Sequence, residues 1–294
     1  MKISIIGIGR LGGALAIALA EKNFEIENLI VRGETENARK ISEFLTPKPR
    51  ILKSSELAEI SSDAIFITTQ DAEIETVAAS LALNLKNKPL VFHASGSLSS
   101  EVLGKLKEVG CAVASLHPLA SVSDSILGAT RFAGAYFCIE GDVEAVEKAK
   151  EIVESLGGKS FSIETKYKTL YHASAVTASG HLVALLDIAL EMLQKCGLSE
   201  TDARQILLPL VKSTIENLQT QTTAQALTGT FARADIETLR RQIKILSETV
   251  SAEAFDIFLQ LGLRSLHLAE RQNADREKIE EMRAAIRLAK KNLK

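Results

Sequence analysis

The stretch SIIGIGRLGGALAIAL, residues 4–19, interrupts an apolar run with four glycines, Gly7, Gly9, Gly12 and Gly13, and then resumes in a composition that suits a helix. Gly7, Gly9 and Gly12 fit the spacing G-x-G-x-x-G. In a strand-to-helix turn the first such glycine permits the sharp bend, the second lets an anion approach the backbone, and the third lets helix and strand pack closely. The unpaired N–H groups at the helix start, with the helix macrodipole, then favour negative charge there. A second strand candidate follows at 26–31, so the segment reads as the opening of a dinucleotide-binding βαβ unit. The alternative is a tight turn with a purely structural use.

Further strand candidates at 64–68, 90–93, 112–116, 135–139 and 160–163 alternate with helical stretches at 11–22, 73–83, 100–108 and 143–156. That alternation predicts a parallel, doubly wound α/β sheet of the Rossmann type. From Lys166 onward the chain offers only helical segments, punctuated by Gly197, Pro209, Gly229 and Gly262. A chain of 294 residues suits two domains. The reading is a Rossmann domain over 1–164 and an all-α domain over 165–294 for substrate and dimerisation.

The loop Gly7, Ile8, Gly9, Arg10, Leu11, Gly12, together with Thr69 after a later strand, is the expected cofactor cradle. Where the second strand ends, an acidic residue would select NAD through the ribose 2′-hydroxyl, but the chain has Arg32. A guanidinium suits a 2′-phosphate, so NADP is favoured over NAD. Glu34 and Glu36 are read as first-turn residues of the next helix.

Ligands of open parallel sheets bind beyond the carboxyl ends of the strands, where His93 and His117 stand. The turn Ser95-Gly96-Ser97 is either a plain loop or a set of backbone donors for an anion. Lys168, His172, Ala175 and Ser179 follow at intervals that put them on one helix face. Such a stripe suits anchoring a carboxylate and donating a proton, with Lys168, His172 and His93 as the catalytic candidates and Ser95, His117 and Ser179 as substrate contacts. The competing reading is a solvated lysine and a structural interface histidine.

The 35 basic residues against 37 acidic ones leave a net charge of -2, which predicts no nucleic-acid partner and no attraction to anionic membranes. The apolar segment 173–193 approaches membrane-span length, but His181, Asp187 and Glu191 interrupt it, so it is read as a core or dimer-interface helix. Helix 170–193 is apolar on more faces than one helical domain covers, which predicts a homodimer. Cys111, Cys138 and Cys196 lie far apart and read as reduced, buried thiols in a cytoplasmic protein, with no signal peptide and no metal-binding pattern.

GIGRLGGAL, HASGSLSSEVL, SLHPLAS, the strand end IEGD, KTLYHASAVTASG, LLPLVKSTIEN and ALTGTFARADIETL occur in this order along the chain. The series resembles a Rossmann-like NADP oxidoreductase family with a C-terminal helical domain of unknown function, labelled deazaflavin-dependent NADP oxidoreductase-like. That family is similar in layout to pyrroline-5-carboxylate reductase and the 6-phosphogluconate dehydrogenase superfamily. The resemblance implies hydride exchange between NADP(H) and a small carbonyl, an imine or a deazaflavin, or else a non-catalytic NADP(H) sensor on the same fold. It also implies a helical domain that dimerises. Thr230, Ala234, Gln242 and Gly180 depart from the proline, glycine, histidine and asparagine that the resemblance leads one to expect.

Overall fold

Strands apolar on both sides must be covered on both sides, and helices between consecutive parallel strands supply that cover. The computed structural model describes residues 1–33 and 36–293. The chain divides into two compact units, Met1–Gly180 and His181–Lys294, so the division falls at Gly180 rather than at the change of pattern near 164.

The first unit contains β1 (Lys2–Ile6), β2 (Glu25–Val31), β3 (Arg50–Lys53), β4 (Ala64–Ile67), β5 (Leu90–His93), β6 (Val113–Leu119), β7 (Tyr136–Gly141) and β8 (Lys159–Phe161). They form one sheet in the order β3-β2-β1-β4-β5-β6-β7-β8, so the winding reverses between β1 and β4. This is the α/β Rossmann arrangement, with its switch point at the carboxyl ends of β1 and β4. Its helices are α1 (Arg10–Ala20), α2 (Glu36–Ser42), α3 (Asp71–Asn84), α4 (Gly104–Glu108), α5 (Ser125–Gly128), α6 (Val143–Ser155) and α7 (Lys168–Ala178). Alternation along the strands fills two cores. Ile3, Ile5, Phe66 and Phe92 join the cluster under α1 and α6, while Ile6, Ile65, Ile67 and Val91 join the one under α3.

Two elements differ from the sequence expectation. β7 runs antiparallel to β6. Between them α5 and a following 3-10 turn pack onto α1 instead of crossing the sheet, so the chain re-enters at the end where it left. β3 was not expected, because Arg50 and Lys53 leave only two apolar residues; charged ends of this kind suit a sheet edge.

The second unit is helical, with α8 (Gly180–Lys195), α9 (Glu200–Thr220), α10 (Thr223–Ala226), α11 (Gly229–Ala232), α12 (Ile236–Thr249), α13 (Ala252–Glu270) and α14 (Arg276–Asn292). Its core joins α12, α13 and α14 through Leu239, Phe255, Leu259, Leu266, Met282 and Ile286. α8 buries no residue, and α9 buries Ala203 alone. Ala234, where a glycine is expected by resemblance, is buried at φ +49°, a left-handed backbone that costs a non-glycine residue about 1 kcal/mol or more. Gln242 keeps a buried Oε1 without a hydrogen-bond partner among the described residues. Cys111 and Cys138 are buried as expected, but Cys196 is exposed because it lies beyond the last turn of α8.

Candidate cofactor and substrate site

The glycine loop is shaped by contacts from distant parts of the chain. Gly7 takes φ +92°, and its N–H donates to the Ile30 carbonyl at 3.0 Å. A Cβ on Gly12 would stand 2.2 Å from the Gly7 carbonyl oxygen and 2.4 Å from Thr68 Oγ1, whereas one on Gly9 would meet no heavy atom within 4 Å. The loop carbonyls are tied from behind: Thr68 Oγ1 donates to Gly7 O at 2.7 Å, Ser125 Oγ to Gly9 O at 3.3 Å, and Asn37 Nδ2 to Ile8 O. The start of α1 has no side-chain cap and no acidic residue in its first turn, which leaves its N–H groups to an anion. Thr68, Asn37 and Ser125 went unrecognised in the sequence because nothing local marks a residue that reaches across to a loop.

Beside this loop lies a cleft of about 680 Å³ lined by Gly7, Ile8, Gly9, Arg32, Thr69 and Glu73, among others. Arg32, 84% exposed, forms an ion pair with Glu73 of α3. Thr69 Oγ1 is buried without a partner among the described residues. Arg10 is exposed at the first position of α1, and Leu11 lines a second, neighbouring cleft. Glu36 does open α2, while Glu34 lies outside the described residues.

The second cleft, about 280 Å³, shares Thr68 and Thr69 with the first and adds Asp71, Ser95, Gly96, His117 and His172. A third, about 470 Å³, shares His117 and His172 with the second and includes Ala175 and Ser179. Thus three members of the expected α7 stripe face one space, together with His117. The turn at Gly96 lies against both imidazoles: a Cβ there would stand 2.5 Å from His172 Cδ2 and 2.7 Å from His117 Nε2. The two rings meet edge to face with centroids 5.9 Å apart. His117 Nδ1 is 2.8 Å from the Tyr171 hydroxyl, a partner the sequence reading did not single out. Burial, aided by the Lys168 charge, brings the His117 pKa down to about 4.

Lys168 and His93, two of the three expected catalytic residues, line none of these clefts. Lys168 is 1% exposed; its Nζ donates to Ser115 Oγ at 2.7 Å and lies 3.8 Å from Glu140 Oε1. Glu140 in turn accepts from the Ser100 N–H at 2.9 Å and the Ser100 hydroxyl at 2.7 Å. Burial lowers the Lys168 pKa below its ordinary value, and this lysine is not solvated. Helical spacing fixed its face correctly but not the direction in which a long side chain extends. His93 is fully buried, its Nδ1 accepts the Ser95 N–H at 3.2 Å, and burial pushes its pKa to about 4. It therefore braces the turn that follows β5. Ser95 Oγ faces inward as well, accepting the N–H groups of Ser97 and Leu98 at 3.2 and 3.1 Å. Among the described residues, no group of three or more His, Cys, Asp or Glu side chains is placed to hold a metal ion.

Residues 2–95 match the family described as NADP oxidoreductase, coenzyme F420-dependent, and residues 135–264 match a domain of unknown function, DUF2520. Among solved structures, the chain is similar to a "putative NADP oxidoreductase" from Bacteroides fragilis, with 22% identity, 90% of this chain and 97% of that one covered, and a TM-score of 0.73. A Thermotoga maritima protein shares 25% identity over 92% of this chain and 99% of its own, with a TM-score of 0.66. The pyrroline carboxylate reductase of Plasmodium falciparum, solved with NADP bound, is 16% identical over 97% of both chains, with a TM-score of 0.59, and shows a common fold. No curated protein matches the chain in a sequence search. The chain thus matches, in tandem, the F420-dependent NADP oxidoreductase family model and the DUF2520 domain model.

Proposed function

We propose that the chain is an oxidoreductase that uses NADP(H) to move a hydride to or from a small carbonyl, imine or deazaflavin-type acceptor. The observation that carries this reading is the continuity of the three clefts, which share residues in series from the glycine loop to His117 and His172. The residues fit the cofactor: an open space over Gly9, free N–H groups at the start of α1, an orphaned hydroxyl at Thr69 and a guanidinium at Arg32. When bound, NADP(H) would supply or take the hydride. The loop from Gly7 to Gly12 would hold its diphosphate, Arg32 its 2′-phosphate, and Thr69 with the Ser95-Gly96-Ser97 turn its nicotinamide side. His117, His172 and Ser179 would face the acceptor, and the rate would come chiefly from holding the reactants in line.

Calorimetric titration with NADPH and NADH tests the cofactor half. NADPH is expected to bind at least tenfold more tightly, Arg32→Ala to erase that preference, and Glu73→Gln, by freeing the guanidinium, to strengthen it. Failure of both nucleotides to bind at millimolar concentration overturns the reading. The withdrawal of Lys168 and His93 from the clefts favours, as a second reading, a protein that binds NADP(H) without turnover. A panel of small oxo acids, cyclic imines and a deazaflavin, followed by NADPH absorbance, separates the two.

We also propose a homodimer formed through the helical unit. The run Thr165–Lys195 is by length and composition apolar enough to cross a membrane. Its first part, however, is engaged with the sheet, through buried Lys168 and through His172 against Gly96. The uncovered faces of α8 and α9 suit a second copy better than lipid, because Asp187 and Glu191 would be stranded in hydrocarbon.

A further inference from the structure

The geometry points to Tyr171 as the residue that fixes the tautomer of His117, its hydroxyl donating to Nδ1 so that the imidazole proton sits on Nε2 and faces the acceptor cleft. The inference rests on the proposed reading for what that cleft holds, but not for the tautomer itself.

The contact is 2.8 Å long, and either atom can be the donor in principle. Bookkeeping of protons favours the phenol as donor. If Nδ1–H donated, the phenol hydrogen would need another acceptor, and among the described residues the Tyr171 hydroxyl has no second hydrogen-bond partner. That hydroxyl, half-buried, would then have only solvent to donate to. If the phenol donates, its proton is satisfied, and the remaining imidazole proton lies on Nε2, the His117 atom nearest the Gly96 turn, which itself lines the second cleft. Both partners are held firmly. His117 is paired across the sheet with Cys138, and the Tyr171 ring packs edge to face against Phe161 at 5.8 Å and against His117 at 5.6 Å.

The charged and titratable groups around His117 are Lys168, His172, Asp71 and His93; three of them oppose protonation of the ring, and Asp71 favours it. Burial adds to the opposition, so the ring stays neutral near pH 7. A neutral imidazole with Nε2–H aimed at the cleft would donate a hydrogen bond to the oxygen or nitrogen of an acceptor that gains negative charge as its carbon receives hydride from the reduced nicotinamide; the anion then takes its proton from solvent, and the imidazole keeps its own. Tyr171 is thus a positioning residue acting through His117.

The test is a long-range ¹H–¹⁵N spectrum of the full chain labelled at histidine, with the His117 signals assigned by their loss in His117→Gln. Near pH 7 the wild-type ring is expected as the Nε2–H tautomer. In Tyr171→Phe the tautomer ratio should shift toward Nδ1–H by roughly fivefold, the weight of one neutral hydrogen bond, while NADPH affinity measured by calorimetry stays unchanged. A wild-type ring protonated on Nδ1, or a ratio untouched by Tyr171→Phe, overturns the inference. If Tyr171→Phe fails to fold, a wild-type correlation between the Tyr171 hydroxyl proton and His117 Nδ1 decides: its presence supports the inference, and a proton covalently bound to Nδ1 overturns it. Absence of NADPH binding with the Nε2–H tautomer intact would remove the proposed function and leave this assignment standing.

Discussion

Gly12 shows how one atom controls the head of α1. The missing Cβ lets the helix approach the Gly7 carbonyl and Thr68 Oγ1 so closely that a methyl group would overlap a backbone oxygen. That oxygen cannot yield as the end of a flexible side chain would. Gly12→Ala is therefore expected to destabilise the first unit by about 1–3 kcal/mol and to lower NADPH affinity more than tenfold, as measured by thermal unfolding and calorimetry. A variant that unfolds and binds like the wild type would show that the close approach is not required. The motif made this glycine legible. The tethers Thr68, Asn37 and Ser125 were not, because each reaches the loop from a distant position in the chain and none belongs to a recurrent pattern.

At the scale of elements, β5 carries a buried histidine and β6 a half-buried one near their carboxyl ends, and α7 buries a lysine beside them. His93 and His117 both titrate near 4 in the folded chain instead of the usual 6.5. The unfolded chain therefore takes up these protons first. Stability is constant above about pH 6.5 and falls as the pH drops toward 4, at up to about 1.4 kcal/mol per pH unit for each ring. The unfolding midpoint of the first unit should decrease between pH 7 and pH 4.5, a window above that of most carboxylates, and His93→Gln should flatten the decline. A midpoint that does not move across that window would contradict the burial argument. The sequence placed these histidines at strand ends correctly. It did not indicate which faced the clefts, because the outcome depends on the turn that follows each strand: His93 is enclosed by bracing Ser95, while His117 remains beside Gly96.

For the whole molecule, the uncovered helices carry the consequence. Val183 is 68% exposed and Leu210 62%, on helices that bury between them only Ala203. Sedimentation without detergent should find a dimer at micromolar concentration, and Val183→Glu combined with Leu210→Glu should weaken it at least tenfold, the equivalent of about 1.4 kcal/mol. A wild-type monomer would refute the proposed assembly. By itself the sequence determined the class of fold, the helical second half and the glycine turn between β1 and α1, since each follows from local periodicity or from a glycine spacing that suits a strand-to-helix turn. Only the tertiary structure decided the antiparallel β7, the edge strand β3, the burial of Lys168 with Glu140 and Ser115, and the pairing of His117 with Tyr171. These depend on where a connection packs and on which distant side chain completes a hydrogen bond, and no local run of residues encodes either.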